Sequence, residues 1–286
     1  MRTDNAPGRQ FAADFAVTDY RNILADSQGL HLRLTMMGTG LDEVSLVNGY
    51  PPAKAENPQP SIQYLLARHK SSDTLFTAVL EPYRTERYVE RIEEASMIPT
   101  VGNGLCAVPD ARAVKVTLKN GRTDYILYSG EADREYTVDG RFRFRGFAGV
   151  ASFEGEALKK AWLHDGTTLT DSIDGVLPAV TGRITDFTRE LAGENTIRIT
   201  PDQRDIAPAA LAGKCIRVEN DGERSAVYRI LNANRAENGD LLLNIGDITL
   251  IRGYRDRFHP EQGYLYDITP GSPFRIPLCH SVSEAG

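Results

Sequence analysis

Three observations predict an all-β protein. Apolar and polar residues alternate with a period of two in segment after segment. Asn-Gly or Asp-Gly dipeptides mark candidate turns at Asn48-Gly49, Asn120-Gly121, Asp139-Gly140, Asp165-Gly166, Asp221-Gly222 and Asn238-Gly239. Both residues of such a pair tolerate the positive φ of tight hairpin turns. The third observation is that helical periodicity is scarce. The architecture expected is an antiparallel β-sandwich over residues 1–170, followed by a smaller all-β domain over residues 171–286. The boundary is expected in residues 166–178, where Thr, Asp, Gly and Pro concentrate.

The strands follow in order. In His31-Leu32-Arg33-Leu34-Thr35-Met36 the leucines and Met36 share one face, while Arg33 and Thr35 share the other. Side chains of a strand point to opposite faces in turn, so one face is buried and the other solvated. His31 falls opposite to Leu32 and Leu34, which predicts a solvent-face residue rather than a ligand. Residues 62–67 and 74–80 are more continuously apolar and predict strands nearer a sheet centre. Residues 86–95 are helix-like in composition but lack helical period, so a strand is expected. Alternation returns in Val114-Lys115-Val116-Thr117-Leu118, Arg141-Phe142-Arg143-Phe144-Arg145, Ile197-Arg198-Ile199 and Ile216-Arg217-Val218. Residues 226–231 and 241–245 are again central-strand candidates. Pro208 near a start and Gly213 at a stop mark one short helical turn.

Composition narrows the function. The 286 residues carry 33 Lys+Arg against 39 Asp+Glu, a net charge of −6. A nucleic-acid reader normally shows a basic stripe, so nucleic acid is not an expected partner. No apolar run reaches the roughly 18–20 residues of a membrane helix, so no membrane partner is expected either. The N-terminus is polar and predicts no signal peptide in this chain. A complete chain would then be cytoplasmic, and one cut from a larger parent could be secreted. Cys106, Cys215 and Cys279 lie too far apart for a metal-ligand pair and are expected to be small buried hydrophobes.

No two of His31, His69, His164, His259 and His280 have metal-ligand spacing, so no metal or other cofactor is expected. Neither a Gly-x-Ser-x-Gly elbow nor a phosphate loop is present. Cys279 precedes His280, but strand neighbours face opposite ways, a poor arrangement for proton transfer. Two constellations remain as candidate substrate-binding residues. Tyr83, Arg84, Arg87 and Tyr88 follow a strongly apolar strand, at a point where Pro82 is expected to end ladder pairing. Arg252, Tyr254, Arg255 and Arg257 repeat the chemistry near the C-terminus. Sugar rings stack on aromatic faces, and uronate carboxylates or sulfates pair with guanidinium groups. Either constellation read without a ligand is an ion-paired surface loop.

Several segments resemble the heparinase II/III family of polysaccharide lyases. They are Gly29 to Met36, then Tyr64-Leu65-Leu66-Ala67-Arg68 with Leu75 to Tyr83. Near the end come Glu219 to Arg224, Tyr228-Arg229-Ile230, Arg252-Gly253-Tyr254, and Gly263-Tyr264 through Phe274-Arg275-Ile276-Pro277. The resemblance implies an α/α toroid followed by β-sandwich regions, and β-elimination on uronate polysaccharides. A base takes the C5 proton, an acid protonates the leaving oxygen, and a partner neutralises the carboxylate. This chain has no helical segment for a toroid, and the resemblance starts partway through the sandwich, implying that the first sandwich strands are missing. No catalytic tyrosine, asparagine or histidine of the family maps onto a position here. The expectation is a non-catalytic C-terminal β region that supports a toroid domain or subunit and walls a groove for acidic polysaccharide. A stand-alone glycan-binding module and a structural interaction domain are the alternatives, with a small catalytic domain of another class behind them. Missing strands would leave an exposed sheet edge and favour self-association.

Overall fold

A computed structural model describes residues 2–4, 10–19, 23–24, 26, 28–37, 41–50, 61–100 and 111–284. The described chain is all-β, with two short 3₁₀ turns, and its strand pairs are antiparallel. None of the described residues forms a helix long and apolar enough to cross a membrane.

The first six strands are β1 (Arg2–Asp4), β2 (Gln10–Ala16), β3 (Leu30–Met37), β4 (Glu43–Gly49), β5 (Ile62–Arg68) and β6 (Thr77–Arg84). They form two three-stranded sheets, β1-β4-β5 and β2-β3-β6. Next come β7 (Val89–Ala95), β8 (Met97–Pro99), β9 (Ala111–Leu118), β10 (Arg122–Ser129), β11 (Tyr136–Val138), β12 (Phe142–Glu154), β13 (Ala157–Leu169) and β14 (Ile173–Asp174). These eight belong to a nine-stranded sheet with the spine β14-β13-β12-β10-β9-β7. A seven-stranded sheet takes β15 (Ala179–Phe187), β16 (Asn195–Pro201), β17 (Cys215–Val218), β18 (Val227–Arg229), β19 (Asn232–Arg235) and β20 (Leu241–Gly246). A separate hairpin, β21 (Ile251–Tyr254) with β22 (Tyr264–Tyr266), precedes β23 (Pro273–Pro277), which completes the seven-stranded sheet beside β15. The last strand, β24 (Cys279–Ser283), crosses back to pair with β13 as the ninth strand of the earlier sheet.

Each large sheet has its own core. Tyr125, Leu127, Tyr136, Phe144, Leu163 and Leu169 fill the first, and Ile184, Ile197, Ile199, Ile216, Ile230 and Leu243 the second. Alternate strand positions supply these residues, as the two-residue period requires. Val89, Ile92, Val114 and Val116 form a smaller cluster on which Met37 of β3 and Val79 of β6 pack. That cluster holds the β2-β3-β6 sheet against β7 and β9. Arg275 of β23 grips Asp165 of β13, its Nε donating to Oδ2 at 3.1 Å, and ties the two large sheets together.

Of the six turn dipeptides named above, four connect paired strands: β9 to β10, β11 to β12, β17 to β18, and β19 to β20. Two do not. Asn48 and Gly49 close β4, paired with Gln63 and Ile62. Asp165-Gly166 lies inside β13, at a bulge where the register with β12 shifts and Gly146 faces Gly166. A Cβ on Gly166 would meet Gly146 Cα at 2.5 Å, so glycine serves close approach there, not chain reversal.

Other expectations also need correction. Pro82 does not end the ladder: it pairs with Leu32, and Tyr83 and Arg84 continue to His31 and Leu30. β6 is an edge strand, where the missing N–H of proline is tolerated. Of the four continuously apolar runs only β20 is interior; β5, β6 and β18 lie at sheet edges. Ile62, Tyr64, Leu66 and Leu80 are exposed, so that apolar character is not explained by burial on both faces. Cys215 and Cys279 are exposed, not buried, because each sits on the outward phase of its strand; Cys106 lies outside the described residues. Residues 89–95 do form a strand, and residues 208–211 a 3₁₀ turn with Gly213 at φ 79°.

Just before β20, the Asp240 side chain is almost buried. It accepts from Thr200 Oγ1 at 2.6 Å and from Asn238 Nδ2 at 2.9 Å. The Thr200 hydrogen bond leads in holding its pKa below the ordinary 3.8; burial opposes this, and Asn238 and Thr185 add to it. A depressed folded-state pKa gives stability that is fully present above the unfolded value and lost as pH falls through the folded one. Asp240→Asn should therefore destabilise the protein near neutrality, and the gap from wild type should narrow below about pH 4. Urea midpoints measured across that range check this, and a constant gap would contradict it.

Candidate functional site

The first constellation is divided among three places. Alternation along β6 sends Tyr83 and Arg84 to opposite faces. Tyr83 stacks on His31 (ring centroids 5.0 Å apart, planes at 17°) and donates its hydroxyl to Asp14 Oδ2 at 2.8 Å. Asp14 also meets His31 Nδ1 at 3.1 Å and Arg33 at 3.2 Å. Burial raises the Asp14 pKa, but the hydrogen bonds from Tyr83, His31 and Arg33 outweigh it and hold the carboxyl below its ordinary range. The same bond to Asp14 pushes the Tyr83 phenol upward, so Tyr83 stays protonated and donates. Arg84 is tied to the Asp26 carboxylate at 2.6 Å and to the carbonyls of Asp26 and Gln28. Tyr88 is half exposed.

Arg87 lines a pocket of about 350 Å³ between the β2-β3-β6 sheet and β7. Arg33 of β3 and Arg91 of β7 line it too, with Gln10, Thr35 and Glu90. Three guanidinium groups thus face one lining carboxylate. Each arginine is held from one side: Arg33 by Asp14, Arg87 by Glu81 at 2.8 Å, and Arg91 by Glu93 at 2.8 Å. The Arg33 Nε is buried and bonded to no described residue. A guanidinium has five donors in a planar fork, so one carboxylate partner leaves N–H groups for a second anion. The guanidinium N–H groups left over in this pocket suit an acceptor such as a carboxylate or a sulfate.

The second constellation is partly assembled. Arg252 and Arg255 line a cleft of about 530 Å³ together with Asn220, Tyr264, Tyr266 and Asp267. Arg252 is neutralised by Asp221 at 2.7 Å and Glu223 at 3.1 Å. Arg255 donates Nε to the Tyr264 carbonyl at 3.3 Å, and no ion pair within 4.0 Å engages it among the described residues. Tyr254 packs on Tyr264 with centroids 5.3 Å apart, whereas Arg257 lies over Phe258 and does not line the cleft. Beside the cleft, burial followed by the charge of Asp267 pushes the Tyr228 phenol up to about 12.

Other functional candidates escaped the sequence reading. Arg33 reads in sequence as a solvent-face residue, and only the packing of the β2-β3-β6 sheet against β7 brings it to Arg87 and Arg91. Tyr128, Phe147, His164 and Trp162 form a continuous ring contact on the outer face of the nine-stranded sheet, with Trp162 stacked on His164 at 5.8 Å and 6°. The two-residue step from Trp162 to His164 was the available signal. Among the described residues, no three His, Cys, Asp or Glu side chains are grouped to hold a metal ion. No family model matches the chain, and no curated protein matches it.

Proposed function

We propose that this chain is a non-catalytic β region of a heparinase II/III-like polysaccharide lyase, supporting a toroid and walling a groove for acidic glycan. The observation that carries the reading is the pocket lined by Arg33, Arg87 and Arg91. Carboxylates and sulfates along a uronate polymer are the anions that such a set of planar donors fits. The cleft of Arg252, Arg255 and Tyr264 offers a second guanidinium beside an aromatic face. Tyr83 donates to Asp14 and is therefore poorly disposed to act as a base, which agrees with a binding role. A stand-alone glycan-binding module would use the same two surfaces.

Calorimetry with heparin, alginate and hyaluronan oligosaccharides tests this, alongside the absorbance of unsaturated product. Binding should weaken as salt is raised past about 0.1 M, where exposed charges are screened over roughly 10 Å. Arg91→Ala, at an exposed position, should weaken it about tenfold, the value of one charge-assisted hydrogen bond. Equal affinity in Arg91→Ala and Arg255→Ala would remove both surfaces, and turnover by the chain would end the non-catalytic reading. Exposed Ile126, Phe147 and Trp162 favour a second reading, in which this face docks a protein partner such as the toroid.

A further inference from the structure

We infer that Cys279 and His164 form an activated surface thiol, a site of covalent modification by soft electrophiles and small disulfides. This goes beyond the glycan reading and does not depend on it. The pair arises from strand register. β24 lies antiparallel to β13 with Cys279 directly opposite His164, so the two side chains leave the same face of the sheet. Cys279 Sγ is 3.2 Å from His164 Nδ1. Trp162, stacked on the imidazole, and Phe147, edge-on to it, fix the ring beside the sulfur. His280, the sequence neighbour of Cys279, points away and meets the Leu177 carbonyl at 2.7 Å. The partner of the thiol therefore comes from 115 residues earlier in the chain.

With the imidazole proton on Nε2, Nδ1 accepts from the thiol. Cys279 is exposed, so an incoming reagent reaches the sulfur. In the step, the Sγ–H proton passes to Nδ1 as Sγ attacks one sulfur of a small disulfide. A new S–S bond forms and the old one breaks. The departing thiolate takes the proton from His164, leaving a mixed disulfide on Cys279 and one free small thiol. With an alkyl halide, an S–C bond forms, iodide leaves with the electron pair, and the proton is lost to buffer. The nucleophile, its proton acceptor and a group orienting that acceptor are the parts such a step needs.

The test is limited alkylation of the whole folded protein with iodoacetamide, followed by peptide mass mapping of each cysteine. The reagent is neutral, so surface charge does not steer it. Cys215 is exposed as well, and the residue opposite it on the paired strand is Arg229 rather than a histidine, which makes it an internal reference. Cys279 should react at least roughly tenfold faster in wild type than in His164→Gln, less than the roughly hundredfold or more that a positioned proton acceptor contributes within an enzyme site. The Cys215 rate should be the same in both proteins. An unchanged Cys279 rate in His164→Gln would overturn the proposal. Should the Cys215 rate rise in that variant, unfolding is the cause, and His164→Asn takes its place with the same two outcomes. Incubation with oxidised glutathione should place glutathione on Cys279 before Cys215; the reverse order would also overturn the proposal.

Discussion

Glu81→Ala is expected to lower stability by about 3 kcal/mol, the size associated with stripping the partner from a buried charged network. Glu81 ends the apolar part of β6 and is 1% exposed. One of its oxygens accepts the backbone N–H groups of Tyr88 at 3.2 Å and Val89 at 3.0 Å, and the other accepts Arg87 Nε at 2.9 Å. The carboxylate thus satisfies the first donors of β7 just where Val89 enters the small cluster between the sheets. Alanine would leave two backbone donors and one guanidinium without this acceptor. Glu81→Gln keeps a carbonyl oxygen for the two backbone bonds but sets an amide NH2 against Arg87, so the ion pair is lost while the backbone acceptor stays, and its loss should be about half as large. Guanidinium unfolding of the three proteins checks the ranking. Equal stability of Glu81→Ala and wild type would show that the clamp is dispensable. The same substitution should weaken anion binding, because Arg87 would lose the group that aims it.

Gly182→Ala should cost about 3–4 kcal/mol, combining overpacking with backbone strain. Gly182 lies in β15, between Pro201 of β16 and Phe274 of β23, at φ 154°. A Cβ there would drive into the Thr200 carbonyl oxygen and come within 2.9 Å of Pro201 Cα and of the Phe274 ring. Two of these obstacles are backbone of a paired strand, so relief requires parting β15 from β16. Gly193→Ala is the matched control: its added Cβ meets nothing within 4 Å and should be nearly neutral. A thermal melt of both variants separates steric obstruction from a general sensitivity to losing glycine. Similar melting temperatures for the two would refute the assignment.

Much of the fold was legible because strand alternation and hairpin chemistry are local. Arg141 to Arg145 alternates in sequence, and Phe142 and Phe144 are buried in the structure. Asn120-Gly121 reverses the chain between β9 and β10 because both its signal and its job occupy the same few residues. Asp165-Gly166 misled for the converse reason, since what it accommodates is the neighbouring strand, 20 positions away at Gly146. The site was less legible. Arg84 and Arg87 are three apart, yet one pairs with Asp26 and the other with Glu81, and nothing local separates these fates. Arg33 and Arg91 meet in one pocket only through packing between sheets. His164 and Cys279 meet only through the return of the final strand.

That return constrains how the protein can be made. The flank of β13 from Lys160 to His164 receives Ser283 through Cys279, the last described strand of the chain. On a ribosome adding about 5–20 residues each second, the early sheet would wait several seconds for its final member. During that interval the nascent chain carries an open β margin with Trp162 beside it, and whatever occupies that margin must leave before β24 can pair there.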